Sequence, residues 1–194
     1  MWRSDINTAV LELVDPRPGE RVVDIGAGMG AGTVIAARTA AEVIAVEPTP
    51  FMRRVLSGRR WLQRARNRIT VVDAAAEHLP VDDASIDAIW AVNTMHHWVD
   101  PERGAAEIAR ALRPGGRVVL IDENFEDPHH PEFERFRSEH SSDHGDDHHG
   151  FTMVDADQMG ELLTAAGLVD VDASARPLAG RPTISVTAWA APRP

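Results

Sequence analysis

The chain has no cysteine, no tyrosine and no lysine, so all 20 of its basic residues are arginine. Without cysteine there are no disulfides, thiolate zinc sites or thiol nucleophiles. Without lysine there is no Schiff base and no P-loop lysine, and the missing tyrosine removes the Tyr–Lys pair of single-domain reductases. No apolar run approaches the roughly 18 residues a membrane helix needs. Met1–Glu20 carries Asp5, Glu12, Asp15 and two prolines where a signal peptide would have its apolar core. A soluble, cytoplasmic protein is expected, and 194 residues fit one domain around one sizeable core.

The net charge of −10 argues against a nucleic-acid binder. It is unevenly spread. Arg53, Arg54, Arg59, Arg60, Arg64, Arg66 and Arg68 crowd one acid-free stretch, and residues 122–149 are rich in Asp, Glu and His. Phe51, Val55, Leu56 and Leu62 interleave with the arginines as a packing face, leaving the arginines on the solvated side. Heavy Ala, Arg and Asp usage without Lys fits a high-GC bacterial genome.

Periodicity predicts a helix over 4–14, with Ile6, Val10, Leu13 and Val14 on one face. Strands are expected at 21–25, 42–47, 69–73, 86–92 and 117–121. Helices are expected at 34–41, through the arginine stretch, and at 101–112 ahead of Pro114-Gly115-Gly116. A helix near 155–166 and strands near 168–172 and 183–189 complete the chain. Apolar strands alternating with helices point to an α/β fold: a Rossmann-like, doubly wound sheet of seven strands with helices on both faces. Residues 173–182 are short for a crossover helix, so the last two strands should form an antiparallel edge pair. The expected organisation is a single domain, 1–194. It comprises an N-terminal helix (1–19), a cofactor-binding core (20–122), a His/Asp-rich segment (123–154) and a C-terminal helix with two strands (155–194).

The strongest local signal is Asp24-Ile25-Gly26-Ala27-Gly28-Met29-Gly30, set between the first strand and its helix. Glycines there permit a tight turn and close approach of a ligand to the backbone, and the helix N-terminus offers free N–H groups. Glu47, ending the second strand, lies where an acid takes the ribose hydroxyls of an adenosine. These residues alone leave two adenosine cofactors open, a nicotinamide dinucleotide and S-adenosylmethionine.

The Asp24-x-Gly26-x-Gly28-x-Gly30 turn with Glu47 resembles the cofactor site of class I S-adenosylmethionine-dependent methyltransferases, in their small single-domain branch. The likeness continues in Ala76-Glu77-His78-Leu79-Pro80, Ser85–Ile89, Asn93–Trp98 and Glu107–Gly116, in order over residues 20–122. It displaces the dehydrogenase reading, for which the chain also lacks a substrate domain and the Tyr–Lys pair. The resemblance implies methyl transfer from S-adenosyl-L-methionine to a small-molecule acceptor, with S-adenosyl-L-homocysteine as product. It implies that Gly26, Ala27, Gly28 and Gly30 line the methionine part and that Glu47 binds the ribose. Pro48 and Met52 pack on adenine or ribose, and Asn93 faces the sulfur. Asp24 binds the amino group, directly or through water, or holds the loop. Ala75 stands where the family often has Asp or Thr, so adenine rests on the backbone of Ala76 and Glu77.

His97 is the candidate general base, His96 is read as packing or hydrogen-bonding beneath its loop, and Trp98 as core or pocket wall. The acceptor is expected between the His96–Trp98 loop, the N-terminal helix and the His-rich segment. His140, His144 and His148 share the i, i+4, i+8 spacing of one helix face, yet Gly145 and clustered Asp break helices. A metal site and a solvated loop both stand there, and no metal ligand is assigned. The competing functions are a non-catalytic S-adenosylmethionine-binding protein and an RNA methyltransferase. The protein is expected as a monomer or homodimer.

Overall fold

The computed structural model describes residues 4–135, 137 and 155–192. Seven strands make one sheet: β1 (Arg21–Ile25), β2 (Glu42–Val46), β3 (Ile69–Val72), β4 (Ile86–Val92), β5 (Leu112–Glu123), β6 (Leu168–Ala175) and β7 (Thr183–Ala190). Their order is β3-β2-β1-β4-β5-β7-β6. β1 to β5 pair in parallel and β7 lies antiparallel to both β5 and β6. The strand order reverses between β1 and β4, so the crevice outside their carboxyl ends is the binding position of such a sheet.

Alternation along the strands divides the core between the two faces. Ile86, Ile89 and Ala91 of β4 face helices α4 (Pro101–Ala111) and α5 (Ala156–Ala165). Ala88, Trp90 and Val92 face α1 (Ser4–Val14) and α2 (Ala31–Ala36). Helix α3 (Pro50–Trp61) packs on Ala45 through Leu56. No described helix is long and apolar enough to cross a membrane.

Several expected boundaries move, each for a local reason. α2 begins at Ala31 because Gly30, left-handed at φ 78°, caps it, and it loosens after Ala36 into bonds such as Arg38 N–H to the Ile35 carbonyl. β5 starts at Leu112, directly after α4. Pro114-Gly115-Gly116 forms an irregularity inside the strand, with a register shift opposite Ile86–Ala88. The buried stripe of α1 is turned toward Asn7 and Leu11, and Leu13 is 41% exposed.

The apolar face expected of the arginine helix is not there: only Leu56 is buried, while Phe51 is 64% and Leu62 84% exposed. The arginines are not simply solvated either. Arg53 donates to the carbonyls of Glu47 and Pro48, Arg59 to Met29, Arg60 to Ile69 and Arg68 to Ala40. They close strand and helix ends that would otherwise leave carbonyls unpaired.

Candidate functional site

The glycine turn sits at the carboxyl end of β1, and its glycines do different work. A Cβ on Gly26 (φ 65°) would stand 2.2 Å from the Thr94 hydroxyl, so that residue is glycine because the loop after β4 rests on it. A Cβ on Gly30 would stand 2.0 Å from Leu56 Cδ1, where α3 packs down. Gly28 (φ 53°) is buried too, but a Cβ there would meet only the Gly26 carbonyl, at 3.9 Å, so no side chain packs on it.

Glu47 is buried at the carboxyl end of β2. One of its oxygens accepts the Gly28 N–H at 2.8 Å and the other the Thr49 N–H at 2.7 Å. A carboxylate has about four acceptor positions, so each oxygen keeps one for a hydroxyl. Arg53 ties this strand end to Asp73 at 2.6 Å, just past β3. Pro48 is exposed and Met52 half-buried beside it. Ala76 is buried, and the Glu77 side chain accepts the Val99 and Asp100 N–H groups at 2.7 and 3.2 Å, closing its segment onto the loop after β4. A Gly28 turn on which no side chain packs, beside the Glu47 carboxylate, fits an adenosyl cofactor bearing vicinal hydroxyls.

Asp24, at the end of β1, holds the turn to the helix that follows. It is 4% exposed and accepts the Thr33 hydroxyl at 2.6 Å, fastening β1 to α2. Burial dominates its titration and pushes its pKa up to about 7, against the lowering effect of the Thr33 bonds. Asn7 of α1 and Trp90 of β4 converge on the same spot: a Cβ on Gly32 would stand 3.2 Å from Asn7 Oδ1 and 3.1 Å from Trp90 Nε1.

On the other side of the crevice, Asn93 ends β4 in a left-handed conformation, φ 51°. Its amide donates to Glu123 at 3.2 Å, while its Oδ1 is buried without a partner. His96 Nδ1 lies 2.8 Å from Oδ1 of Asp122, a residue only 2% exposed. The His97 ring lies 4.1 Å from that of His96 but is exposed. Partial burial and the neighbouring His96 both lower its pKa. Trp98 is buried against Gly104, consistent with a core residue. His130 is also buried, with Nε2 3.0 Å from Glu123 and Nδ1 accepting the Glu132 N–H at 3.1 Å.

Thr94, Asp122 and Glu123 were not singled out from the sequence. The acidic pair closing the β5 apolar run was the available signal, because ligands gather at carboxyl ends of parallel strands. Among the described residues, no group of three or more His, Asp or Glu side chains is placed to hold a metal. His140, His144 and His148 lie outside the described residues. A separate cleft of about 420 Å³ runs along Leu79–Asp82. Its Arg21 and Arg110 are engaged by Glu42, Glu107 and Asp83.

Residues 23–120 match the family described as a methyltransferase domain. The chain is 40% identical over 106 residues to an uncharacterized methyltransferase of Mycobacterium tuberculosis, a match covering 55% of this chain and 41% of that protein. It therefore spans about two-fifths of that relative's length. The fold is similar to the [4+2]-cyclase SpnF, with TM-score 0.76 at 18% identity over 98% of this chain and 82% of that one. It is equally similar to Haemonchus contortus phosphoethanolamine N-methyltransferase 2, solved with S-adenosyl-L-methionine, with TM-score 0.75 at 18% identity over 96% of this chain and 52% of that one.

Proposed function

This chain belongs to the methyltransferase-domain family, and from that premise we propose that it transfers the methyl group of S-adenosylmethionine to a small-molecule acceptor. The observation that carries the reading is the Gly28 turn, free of packed side chains and bonded to the buried Glu47 carboxylate, at the switch point between β1 and β4. When bound, S-adenosylmethionine supplies a methyl group on a sulfonium already activated for in-line displacement.

The chain's own residues supply position and water exclusion. Glu47 takes the ribose hydroxyls on its two remaining acceptor positions. Ala27 and Gly28 line the methionine part, while Gly26 and Gly30 shape the turn through Thr94 and Leu56. Asp24 acts on the cofactor by holding that turn to α2. Pro48, Met52 and the backbone of Ala76 and Glu77 surround the adenine. Asn93 presents its Oδ1 toward the sulfur end, and His96 and His97 border the acceptor.

Calorimetric titration with S-adenosylmethionine, S-adenosylhomocysteine and NAD, repeated on Glu47→Gln, tests the reading. Both sulfur ligands are expected to bind and NAD not to. The substitution should weaken binding about 10- to 100-fold through loss of charged hydrogen bonds. Binding of NAD alone would overturn the proposal.

A further inference from the structure

We propose that the outer face of α3 is a docking surface for an anionic lipid bilayer, on which the protein sits peripherally. The inference is independent of the methyl-transfer reading and concerns the arginine stretch, for which that reading has no use.

Helix α3 is amphipathic in reverse. Phe51, Val55, Gly58 and Leu62 follow one another at intervals of four, three and four residues, the spacing of one helix face. Leu56, the buried side chain of α3, lies on the far side of the helix, so this stripe points away from the sheet. Leu62 is the most exposed of the stripe, and Trp61 beside it is 65% exposed. A Cβ on Gly58, in the middle of the stripe, would have no heavy atom within 4 Å, so nothing among the described residues covers it.

The arginines take the inner positions instead. Arg53, Arg59 and Arg60 turn back onto the domain and donate to the carbonyls of Glu47, Met29 and Ile69. A bond to a carbonyl leaves their charge in place. Arg54 on the helix, and Arg64 and Arg66 just beyond it, are exposed. Arg60 and Arg66 set their guanidinium carbons 5.8 and 6.0 Å from the centre of the Trp61 ring. No acid lies between Glu47 and Asp73. The surface is an apolar ridge, ending in a tryptophan, inside a cationic collar.

That combination selects the occupant. Apolar side chains on an outer helix need a partner that can close around them. Tryptophan and arginine favour the level of lipid headgroups, where ring and guanidinium meet hydrocarbon and phosphate together. A second copy of this chain docked face to face would set the arginines of this patch against their own counterparts, because an isologous contact pairs a patch with itself. Nucleic acid offers phosphates and stacking bases, but no apolar phase for Val55 and Leu62. The net charge of −10 does not bar the contact. At physiological salt, charges are screened beyond about 8 Å, so the headgroups meet the cations of this face rather than distant acids.

The test uses the full chain and extruded vesicles, either of phosphatidylcholine alone or of phosphatidylcholine and phosphatidylglycerol in equal parts. Cosedimentation should be about 10- to 100-fold stronger with the anionic vesicles and should fall as salt is raised. Leu62→Asp, an exposed change that leaves the urea midpoint in place, should reduce it about 10-fold. Arg54→Gln combined with Arg64→Gln should reduce the preference for anionic vesicles. Brominated phosphatidylcholine in those vesicles should quench tryptophan fluorescence, and Trp61→Phe should abolish the quenching. The proposal is overturned if the chain stays in the supernatant, if both vesicles take it equally, or if Leu62→Asp binds like the wild type. Quenching that survives Trp61→Phe, or retention of tRNA in place of vesicles, would equally overturn it. The assay needs no S-adenosylmethionine, so its failure leaves the methyl-transfer reading untouched.

Discussion

A methyl group added at position 26 would collide with Thr94, while one added at position 28 would meet only the Gly26 carbonyl, at an ordinary contact distance. Gly26→Ala is therefore expected to cost about 3 kcal/mol from strain and overpacking together. Gly28→Ala should cost only about 1 kcal/mol for its left-handed backbone, yet lose cofactor binding. Urea denaturation beside calorimetry checks the pair, and equal loss of stability in both would contradict the division. Asp24 supplies a pH prediction. The folded protein keeps its proton up to about pH 7, while the unfolded chain releases it near 3.8. Between those values the folded state binds more protons, so this group's stabilising effect is full below about pH 4 and is lost as pH rises to about 7. Relative to Asp24→Asn, the wild type should lose urea resistance across that interval and change little above it. Parallel curves for the two proteins would show that Asp24 is not held protonated.

The Glu-x-x-Arg pair of α4 works as a clamp on a neighbouring segment. Glu107 accepts the Leu79 N–H at 2.9 Å, and Arg110 donates to the carbonyls of Leu79 and Val81 and to Glu107 and Asp83. The planar guanidinium serves four acceptors at once, which an ammonium cannot. Arg110→Lys should thus lower stability by about 2 kcal/mol, read as a shift of the urea midpoint. The N-terminal helix is held in a similar way. Arg117 of β5 grips Glu20 with two bonds, at 2.9 and 2.8 Å, and also donates to the carbonyls of Val14 and Asp15 at the end of α1. The spacing of Glu107 and Arg110 was visible in the chain, but what they hold was not, because the partners lie about 30 residues away.

Taken over the whole molecule, the excess of acidic residues sets the long-range field. Four of its seven arginines donate to backbone carbonyls, and one of these also pairs with Asp73. Filter binding should accordingly find no retention of a tRNA-sized ligand at physiological ionic strength. Retention that weakens steeply with salt would restore the RNA-methylating alternative.

Taken alone, the sequence determined the succession of strands and helices, the antiparallel edge and the place of the glycine turn. These follow from patterns a few residues long: apolar strands, glycines at the end of one, an acid at the end of the next. It also carried the correct stripe of α1 apart from Leu13, since helical periodicity is local. Only the tertiary structure decided which glycines are packed over, because Thr94 and Leu56 reach Gly26 and Gly30 from distant elements. The same holds for His96, whose partner carboxylate on Asp122 is 26 residues away in the chain and is brought within 2.8 Å of the ring by the pairing of β4 with β5.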